Sequence, residues 1–426
     1  MARDVVVVGG GAVGVCCAYF LWRDGREVTL VDRGDGSDGA SHANAGMLVP
    51  SHAVPLAAPG VIGQGLRWLF KSGSPLYIRP RLDLELFRWL WRFRASCTEA
   101  HVRQSVPLMR DLLLASVDLF RELARLDGVE ANLHENGILM LYDTELGKHH
   151  GADEAKILRS AGLEVDVLDA AALFELEPAL RTAAIGGLHF RQDCHIDPGS
   201  FVRTLATYLR GQGVEFLSST EVDGFERRGD RVDAVCAAGQ RIAARSVVLA
   251  TGAFTQPLAD MLGVRAPVQP GKGYSVTLPR GSCGLRIPLL LHEARVTVTP
   301  MGDQLRFTGA LELAGIDRSI EPKRLARILE QVSAYLPETD TDAILAATDG
   351  DPDAAGPPVW TGFRPCSPDG LPIIGMAPQL GNVTLATGHG MLGLALAPIT
   401  GKLVASLVSG EPPSICLDRL EPSRFS

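Results

Sequence analysis

The chain has 426 residues, of which 46% are hydrophobic and 21% are charged, so it can bury a large core and divide into two domains. Its 41 basic and 49 acidic residues give a net charge of -8 without any block of like charge, which argues against nucleic acid as a partner. Eight cysteines without a C-x-x-C pair indicate reduced thiols, and we expect neither a disulfide framework nor a metal site.

The first apolar segment, residues 5–22, has the length of a short membrane span. It holds four glycines and is followed by charged residues instead of a small-residue cleavage site, which disfavours both a span and a signal peptide. The segment is better explained as a strand, a glycine-rich turn and a helix within a folded domain.

A βαβ unit is predicted at the start of the chain. Val5–Val8 is a β-branched run, the apolar stretch that follows has helical length up to Asp24, and Gly25 stands where a helix C-cap favours a left-handed residue. Glu27–Val31 then predicts a second strand that ends at Asp32. The order of these elements is typical of a dinucleotide-binding domain.

The turn of this unit carries a G-x-G-x-x-G pattern at Gly9, Gly11 and Gly14. These glycines permit the tight turn, the approach of a pyrophosphate and close packing of the helix on the strand. Asp32 has the spacing of a carboxylate that binds an adenosine ribose, where a 2′-phosphate would be repelled. The alternative is a buried glycine-rich turn without a ligand, and the unit alone does not separate FAD from NAD.

The rest of the chain alternates between helical and extended patterns. Residues 33–60 are rich in Gly, Ala, Ser and Pro, which predicts a loop that lines a ligand. Leu66–Leu126 predicts amphipathic helix and the start of a second domain. Later predicted elements are strand Ile138–Tyr142, helix Pro198–Arg210, strand Arg241–Gly252, short strands over Val268–Thr308, helix Pro322–Leu336 and helix Gly393–Val408.

Four later segments are similar to motifs of one known family. Ser41–Met47 (SHANAGM) is similar to a flavin-loop motif, and residues 270–277 (PGKGYSVT) and 360–375 (WTGFRPCSPDGLPIIG) are similar to two long dehydrogenase motifs. Gly388–Gly393 resembles a stretch that holds the flavin ring in glycine oxidases. The chain therefore resembles, over nearly its whole length, the D-amino-acid dehydrogenase and glycine oxidase group of the D-amino-acid oxidase family, which implies FAD instead of NAD.

The resemblance implies an α/β fold with a Rossmann-like FAD-binding domain and a second α+β substrate domain built on a mixed sheet. We assign residues 1–58, 151–265 and 355–426 to the FAD-binding domain, and residues 59–150 and 266–354 to the substrate domain. Both domains are then discontinuous, and the chain crosses between them more than once.

The glycine turn and the resemblance together predict the residues that hold the cofactor. Val222 is expected to contact the adenosine end through its backbone, and the loop before Met47 is expected to lie against the pyrophosphate and the flavin ring. The full predicted set is Gly9, Gly11, Ala12, Val13, Gly14, Asp32, Arg33, Ala40, Ser41, Ala45, Gly46, Met47, Val222, Thr251, Gly252, Gly388, His389, Gly390, Met391, Leu392 and Gly393.

Arg364 is the predicted substrate clamp. Oxidation of an α-amino acid requires its α-carbon to be oriented toward flavin N5, and a guanidinium offers a charged planar fork that matches a carboxylate. Arg364 also stands at the position of the family's carboxylate-binding arginine. The alternative is an arginine that serves only the surface or domain pairing.

Tyr274 and His389 are further candidates for the catalytic site. The Tyr274 phenol is expected either to face the substrate or to be a half-buried strand residue. His389 precedes a predicted helix, so its backbone is expected to matter more than its imidazole for charge developing on the flavin. Lys272 is a minor candidate for proton relay, with a solvent-facing lysine as the alternative, and His42 and His292 are weaker.

We predict that FAD is bound non-covalently. In the sarcosine oxidases, the cysteine that links the flavin stands seven residues before the aspartate of the motif. Counting back from Asp369 gives Gly362 in this chain, whereas Cys366 is only three residues away.

Residues 66–94 combine aromatic and basic side chains, which is typical of a surface that contacts a membrane. The alternative is that the aromatic residues pack the second domain and the arginines face water. The family's dehydrogenase branch passes its electrons to quinone or to an electron-transfer protein. We therefore expect a cytoplasmic protein and leave open a weak contact with the inner membrane face.

The function implied by the resemblance is oxidation of D-amino acids to imino acids, which water converts to 2-oxo acids and ammonia. Three alternatives stay open at this point. They are a dehydrogenase of D-hydroxyproline or another cyclic D-imino acid, an oxygen-using glycine or sarcosine-type oxidase, and a flavin-binding partner subunit without catalysis.

Overall fold

The computed structural model describes residues 3–35, 39–63, 65, 76–180, 184–336 and 359–426. In chain order the strands are β1 (Arg3–Val8), β2 (Val28–Val31), β3 (Met47–Leu48), β4 (Leu76–Ile78), β5 (Ile138–Tyr142), β6 (Val165–Asp169), β7 (Gly186–Phe190), β8 (Cys194–His195), β9 (Glu215–Leu217), β10 (Val222–Arg228), β11 (Arg231–Ala237), β12 (Gln240–Leu249), β13 (Gln269–Pro279), β14 (Leu289–Leu291), β15 (Val296–Met301), β16 (Gln304–Leu313), β17 (Val359–Cys366), β18 (Ile373–Met376) and β19 (Val383–Thr387). The α-helices are α1 (Ala12–Arg23), α2 (Leu84–Ser96), α3 (Glu99–Leu123), α4 (Glu145–Ser160), α5 (Ala170–Leu176), α6 (Pro198–Gly211), α7 (Thr255–Met261), α8 (Pro322–Tyr335) and α9 (Ala397–Ser409).

The first sheet is built on parallel strands in the order β9, β2, β1, β12 and β19. The β-branched run of β1 pairs with β2 on one side and with Ser246–Leu249 on the other, so Val5–Val8 is buried on both faces. Helices α1 and α9 pack together against this sheet. The predicted βαβ unit is confirmed, and the carboxyl ends of the parallel strands meet at one edge, where α/β sheets bind ligands.

A mixed sheet forms the second layer, in the order β17, β13, β16, β15, β14, β5, β7 and β6, with β4 beside β16. One of its faces packs its apolar side chains against α8 and α5. Val276 and Phe307 of the sheet and Leu329 of α8 belong to this core. The opposite face of β13, β15 and β16 turns toward the first sheet and its connecting loops. The α/β class and the mixed second sheet therefore agree with the sequence-based expectation.

Several segments lie elsewhere than the predicted domain boundaries place them. Strand β17 was assigned to the FAD-binding domain, but it pairs with β13 in the second sheet. Strands β6 and β7 were assigned to the FAD-binding domain, but β7 pairs with β5 and β6 pairs with β7 in the second sheet. Helix α3 was assigned to the substrate domain, but its apolar side packs into the core that contains α1 and α9. An apolar stripe predicts that a helix packs against a core, but not which core it joins.

Two helical predictions also need correction in detail. The amphipathic stretch 66–126 holds strand β4 and the separate helices α2 and α3 where it is described, and residues 66–75 lie outside the described part. The last helix begins at Ala397 instead of Gly393, because Gly390–Leu392 forms a short 3-10 turn ahead of it. Pro398, in the first turn of α9, is a favourable position for the start of a helix.

Candidate active site

A cavity of about 1100 Å³ lies between the two sheets. Its wall includes the carboxyl edge of the first sheet, the loop that follows β2, and the open face of the second sheet. This volume is just above the usual range for small-molecule sites, which fits a large cofactor together with a substrate.

The glycine turn after β1 forms one end of the cavity. Gly9 has a φ of +109°, and a Cβ built there would lie 2.5 Å from the carbonyl oxygen of Ala250. A Cβ on Gly14 would lie 1.8 Å from the carbonyl oxygen of Gly9, so only glycine lets α1 approach the turn this closely. Both requirements are those of a dinucleotide-binding turn.

The N-terminus of α1 faces the cavity. Gly11 is the N-cap, no side chain of the cap residue satisfies the first amides, and the first turn holds no acidic residue. The amide of Ala12 donates to Ser41 Oγ at 2.9 Å, which ties the following loop to the helix. The positive end of the helix is thus open toward a phosphate group, and this arrangement fits the diphosphate of FAD.

Asp32 ends β2 and is held by two backbone amides. Its Oδ2 accepts from Gly10 N at 2.5 Å, and its Oδ1 accepts from Gly34 N at 2.7 Å. These bonds fix the carboxylate beside the glycine turn, at the edge of the cavity. The neighbouring Arg33 places its guanidinium 3.7 Å from the centre of the Phe254 ring, so the two side chains stack.

The loop that was predicted to contact the flavin is anchored to the second sheet. Arg306 Nη1 donates to the carbonyl oxygen of Asn44 at 3.1 Å, and Thr299 Oγ1 donates to that of Ala45 at 2.8 Å. Gly46 has a φ of +68°, and Met47 pairs with His195 in a two-stranded ribbon. The loop is therefore fixed between the layers with Ala45 and Met47 on the cavity wall.

Most of the predicted cofactor residues line this single cavity. Three glycines do not: Gly14 packs on Gly9, a Cβ on Gly46 would meet the carbonyl of Ile196, and one on Gly388 would meet Ile373. The predicted residues on the wall are Gly9, Gly11, Ala12, Val13, Asp32, Arg33, Ala40, Ser41, Ala45, Met47, Val222, Thr251, Gly252, His389, Gly390, Met391, Leu392 and Gly393.

Arg364, on β17, extends across β13 into the cavity. A Cβ on Gly273 would lie 2.2 Å from its Nη1, so the side chain passes directly over a residue that leaves room for it. Nη1 donates to the carbonyl oxygen of Ala310 at 2.9 Å. Burial lowers the pKa of Arg364, and no carboxylate among the described residues forms an ion pair with it. A buried cation of this kind can bind an anionic ligand.

Tyr274 also borders the cavity, but its hydroxyl donates to Glu312 Oε1 at 2.7 Å. Burial raises the pKa of the phenol above its ordinary value, as does the neighbouring Glu312 carboxylate. Lys272 forms an ion pair with Glu312 at 3.3 Å and is only 2% exposed, so the solvent-facing alternative for this lysine is wrong. Both side chains belong to a buried cluster around Glu312.

His389 is buried, and its Nε2 lies 3.0 Å from Thr400 Oγ1 in α9. Burial lowers the pKa of His389 to about 3, so the imidazole is neutral at physiological pH. The side chain therefore fixes the loop to the helix while its backbone borders the cavity. His42 and His292 do not belong to the residues that line the cavity.

The sequence did not indicate several polar residues near the site. Ser51 donates from its backbone N and from its Oγ to the buried carboxylate of Asp193, at 3.0 and 2.5 Å. Burial raises the pKa of Asp193 to about 7. Arg295, at the turn between β14 and β15, also lines the cavity. These residues are distant in sequence, and no local motif joins them.

Part of the aromatic and basic stretch 66–94 lies on the surface in α2. Trp89 is buried and donates to the carbonyl oxygen of Cys366 at 2.9 Å, whereas Phe87 and Trp91 are 56% and 73% exposed. Arg88 and Arg92 are on the same helix. Within the described residues, none of the helices combines the length and the apolar character needed to cross a membrane.

Comparisons with known proteins agree with this geometry. Residues 4–407 match the family model described as DAO, FAD dependent oxidoreductase. The chain is 37% identical to a D-amino acid dehydrogenase of Methylobacterium radiotolerans and 35% identical to one of Granulibacter bethesdensis, each alignment covering 99% of both chains.

Solved structures with the same fold include glycine oxidase from Geobacillus kaustophilus, with a TM-score of 0.78, 23% identity and 99% of both chains covered. L-Proline dehydrogenase from P. horikoshii aligns with a TM-score of 0.72 and 20% identity, over 100% of this chain and 98% of the other. Because the family model matches residues 4–407 and full-length relatives are up to 37% identical, the chain belongs to the DAO family of FAD-dependent oxidoreductases.

Proposed function

We propose that this protein is a D-amino-acid dehydrogenase that uses FAD to convert D-amino acids to imino acids, which water then hydrolyses to 2-oxo acids and ammonia. The observation that carries the proposal is Arg364, a guanidinium without a carboxylate partner among the described residues, placed in the cavity that fits FAD. The names of the full-length relatives support the same substrate class.

The chain's own residues bind and orient the two reactants. The amides at the start of α1 and the fixed carboxylate of Asp32 would hold the diphosphate and the ribose of FAD, and residues 389–393 would border its ring. When bound, FAD supplies the acceptor, at N5, for the hydride that leaves the α-carbon of the substrate.

Arg364 binds the substrate carboxylate in this scheme. The carbonyl of Ala310 accepts one of its N–H groups, which fixes the guanidinium while other donors remain for the carboxylate. His389 bonds to Thr400 and the hydroxyl of Tyr274 bonds to Glu312, so we assign neither side chain to proton transfer. The site works through orientation, for which a fixed clamp is sufficient.

Anaerobic mixing of the FAD-loaded protein with separate D- and L-amino acids tests the proposal. Bleaching of the visible flavin absorption by D-amino acids, and not by their L-enantiomers, is expected. A panel with glycine, sarcosine and D-hydroxyproline separates the alternative substrates. Absence of bleaching with every compound would leave the catalytically inactive partner subunit as the better explanation.

The electron acceptor is quinone or an electron-transfer protein in this proposal, and the exposed aromatic side chains of Phe87 and Trp91 on α2 support contact with a membrane surface. Peroxide release equal to the rate of dye reduction would favour an oxidase instead. Co-flotation with anionic liposomes at low salt is expected, and its loss in a Phe87→Ser, Trp91→Ser variant would locate the contact. A protein that does not float at low salt has no such surface anchor.

A further inference from the structure

A second arginine borders the same cavity as Arg364. Arg295 lies at the turn between β14 and β15 with a φ of +56°, and its side chain is exposed toward the cavity. No hydrogen bond or ion pair joins its guanidinium to any described side chain. A left-handed backbone is uncommon for a residue other than glycine, and here it coincides with a side chain on the wall of the site.

The pairing of β15 with β16 brings Arg295 close to the substrate clamp. The paired residues end at Thr297 and Thr308, and Arg295 and Ala310 lie two residues beyond them, each with a left-handed backbone. The close approach of Val296 to the Cβ position of Gly309, at 3.3 Å, agrees with this register.

Ala310 is also the residue whose carbonyl anchors Arg364. The two arginines border one cavity, Arg364 from β17 and Arg295 from the turn before β15. Thr297, Thr308 and Ala310 line the same cavity. Because Val296 contacts Gly309 and Ala310 follows it, the turn that carries Arg295 lies close to the carbonyl that anchors Arg364.

Glu154 and Glu293 attract Arg295, but neither forms an ion pair with it. Glu293 accepts from Thr144 Oγ1 at 2.8 Å, outside the set of cavity-lining residues. Glu154, on α4, lines the cavity and attracts Arg295 over a distance, but the two groups are not in ion-pair contact. His52 adds no charge, because burial lowers its pKa to about 4. Asp32 and Glu221 border the far end, beside the glycine turn.

We propose that Arg295 binds a carboxylate on the side chain of the substrate, so that D-amino acids with acidic side chains are preferred over their neutral amide counterparts. This inference rests on the proposed function and specifies its substrate class. Glu154 competes with the substrate for Arg295, so removal of its charge is expected to favour acidic substrates further.

The test compares kcat/KM for D-glutamate with that for D-glutamine, which has nearly the same shape but no charge, using an artificial electron acceptor. The wild-type protein is expected to favour D-glutamate at least tenfold. Arg295→Gln is expected to lower kcat/KM for D-glutamate at least tenfold and to change that for D-glutamine less than threefold. Glu154→Gln is the matched control on the same wall, and it is expected to raise the preference for D-glutamate.

Ligand binding gives a readout without turnover. Perturbation of the flavin spectrum by the dicarboxylate glutarate is expected to need at least tenfold more ligand in Arg295→Gln than in the wild type. The concentration of the monocarboxylate butyrate that perturbs the spectrum is expected to be the same in both proteins. Two results would overturn the inference, provided that D-alanine still bleaches the flavin. One is an equal loss of kcat/KM for D-glutamate and D-glutamine in Arg295→Gln, and the other is a wild type that does not distinguish the two substrates. Failure of all D-amino acids to bleach the flavin would instead overturn the proposed function.

Discussion

The guanidinium of Arg364 reaches Ala310 only because Gly273 beneath it has no side chain. Its position in the family motif allowed the sequence to predict a carboxylate clamp, and the structure adds the anchoring carbonyl. No comparable sequence signal marks Arg295, since its place depends on a turn conformation. Tyr274 was predicted as a candidate, but its bond to Glu312 depends on a partner 38 residues away.

Replacement of Arg364 is the direct test of the clamp. Arg364→Ala is expected to raise the Kd for substrate by about 10- to 150-fold, which corresponds to the loss of a charged hydrogen bond of about 1.5–3 kcal/mol. Arg364→Lys is expected to recover part of this loss, because it keeps the charge but not the fork. Both Kd values come from anaerobic flavin titration. Equal loss of bound FAD in the two variants would instead identify Arg364 as a structural residue.

Asp193 is expected to make stability depend on pH. Its pKa is raised to about 7 by burial, against 3.8 for an ordinary aspartate, so the folded state keeps a proton that the unfolded state releases. Between pH 3.8 and about 7 the free energy of unfolding therefore falls as the pH rises, by about 1.4 kcal/mol for each pH unit.

Urea unfolding of the wild type and of Asp193→Asn from pH 4.5 to 8 measures this effect. The variant mimics the protonated carboxyl, and it is expected to lose most of the decline between pH 4.5 and 7. Asp127→Asn, at an exposed position, is the control and is expected to keep the decline. An unchanged slope in Asp193→Asn would show that Asp193 is ionised in the folded protein throughout this range.

At the scale of elements, the βαβ unit was predictable because each of its signals is local: a β-branched strand, a glycine turn and an apolar helix. Helix α6 was likewise predicted almost to its ends, since Asp197 caps it and a proline follows. The start of α9 was predicted too early. An apolar pattern does not distinguish a 3-10 turn at Gly390–Leu392 from a further turn of helix.

A methyl group at Gly14 is expected to separate α1 from the turn it closes. Gly14→Ala would place its Cβ against the carbonyl oxygen of Gly9, so the protein should lose several kcal/mol of unfolding free energy or most of its FAD. Gly211→Ala, at the end of α6, meets no atom within 4 Å and is expected to leave stability within about 1 kcal/mol. FAD content and urea unfolding measure both variants. Normal FAD binding in Gly14→Ala would contradict the role of this close approach.

At the scale of the whole molecule, the class of fold was predictable, but the assignment of segments to layers was only partly so. Strands β6 and β7 and helix α3 carry patterns that suit either layer, and their places are decided by strand pairing and packing across long sequence separations. The cavity residues that belong to sequence motifs were predictable, whereas others on its wall, such as Ser51 and Arg295, were not.

The cofactor is expected to be released when the protein is denatured. Cys366 is buried and forms an isolated backbone β-bridge with His389. Burial raises the pKa of the Cys366 thiol to about 11, so it is protonated and poorly nucleophilic. Acid precipitation should therefore leave all of the yellow colour in the supernatant. Colour that stays with the precipitate would reveal a covalent bond.

Strand β19 completes the first sheet beside β12, and residues 389–393 complete the cavity wall. During translation, the glycine turn and Asp32 leave the ribosome about 350 residues before these segments. The nascent chain thus presents an incomplete pocket for most of its synthesis, and we expect full affinity for FAD only after residue 393 has emerged. Truncations before that point are expected to accumulate as colourless, protease-sensitive polypeptides.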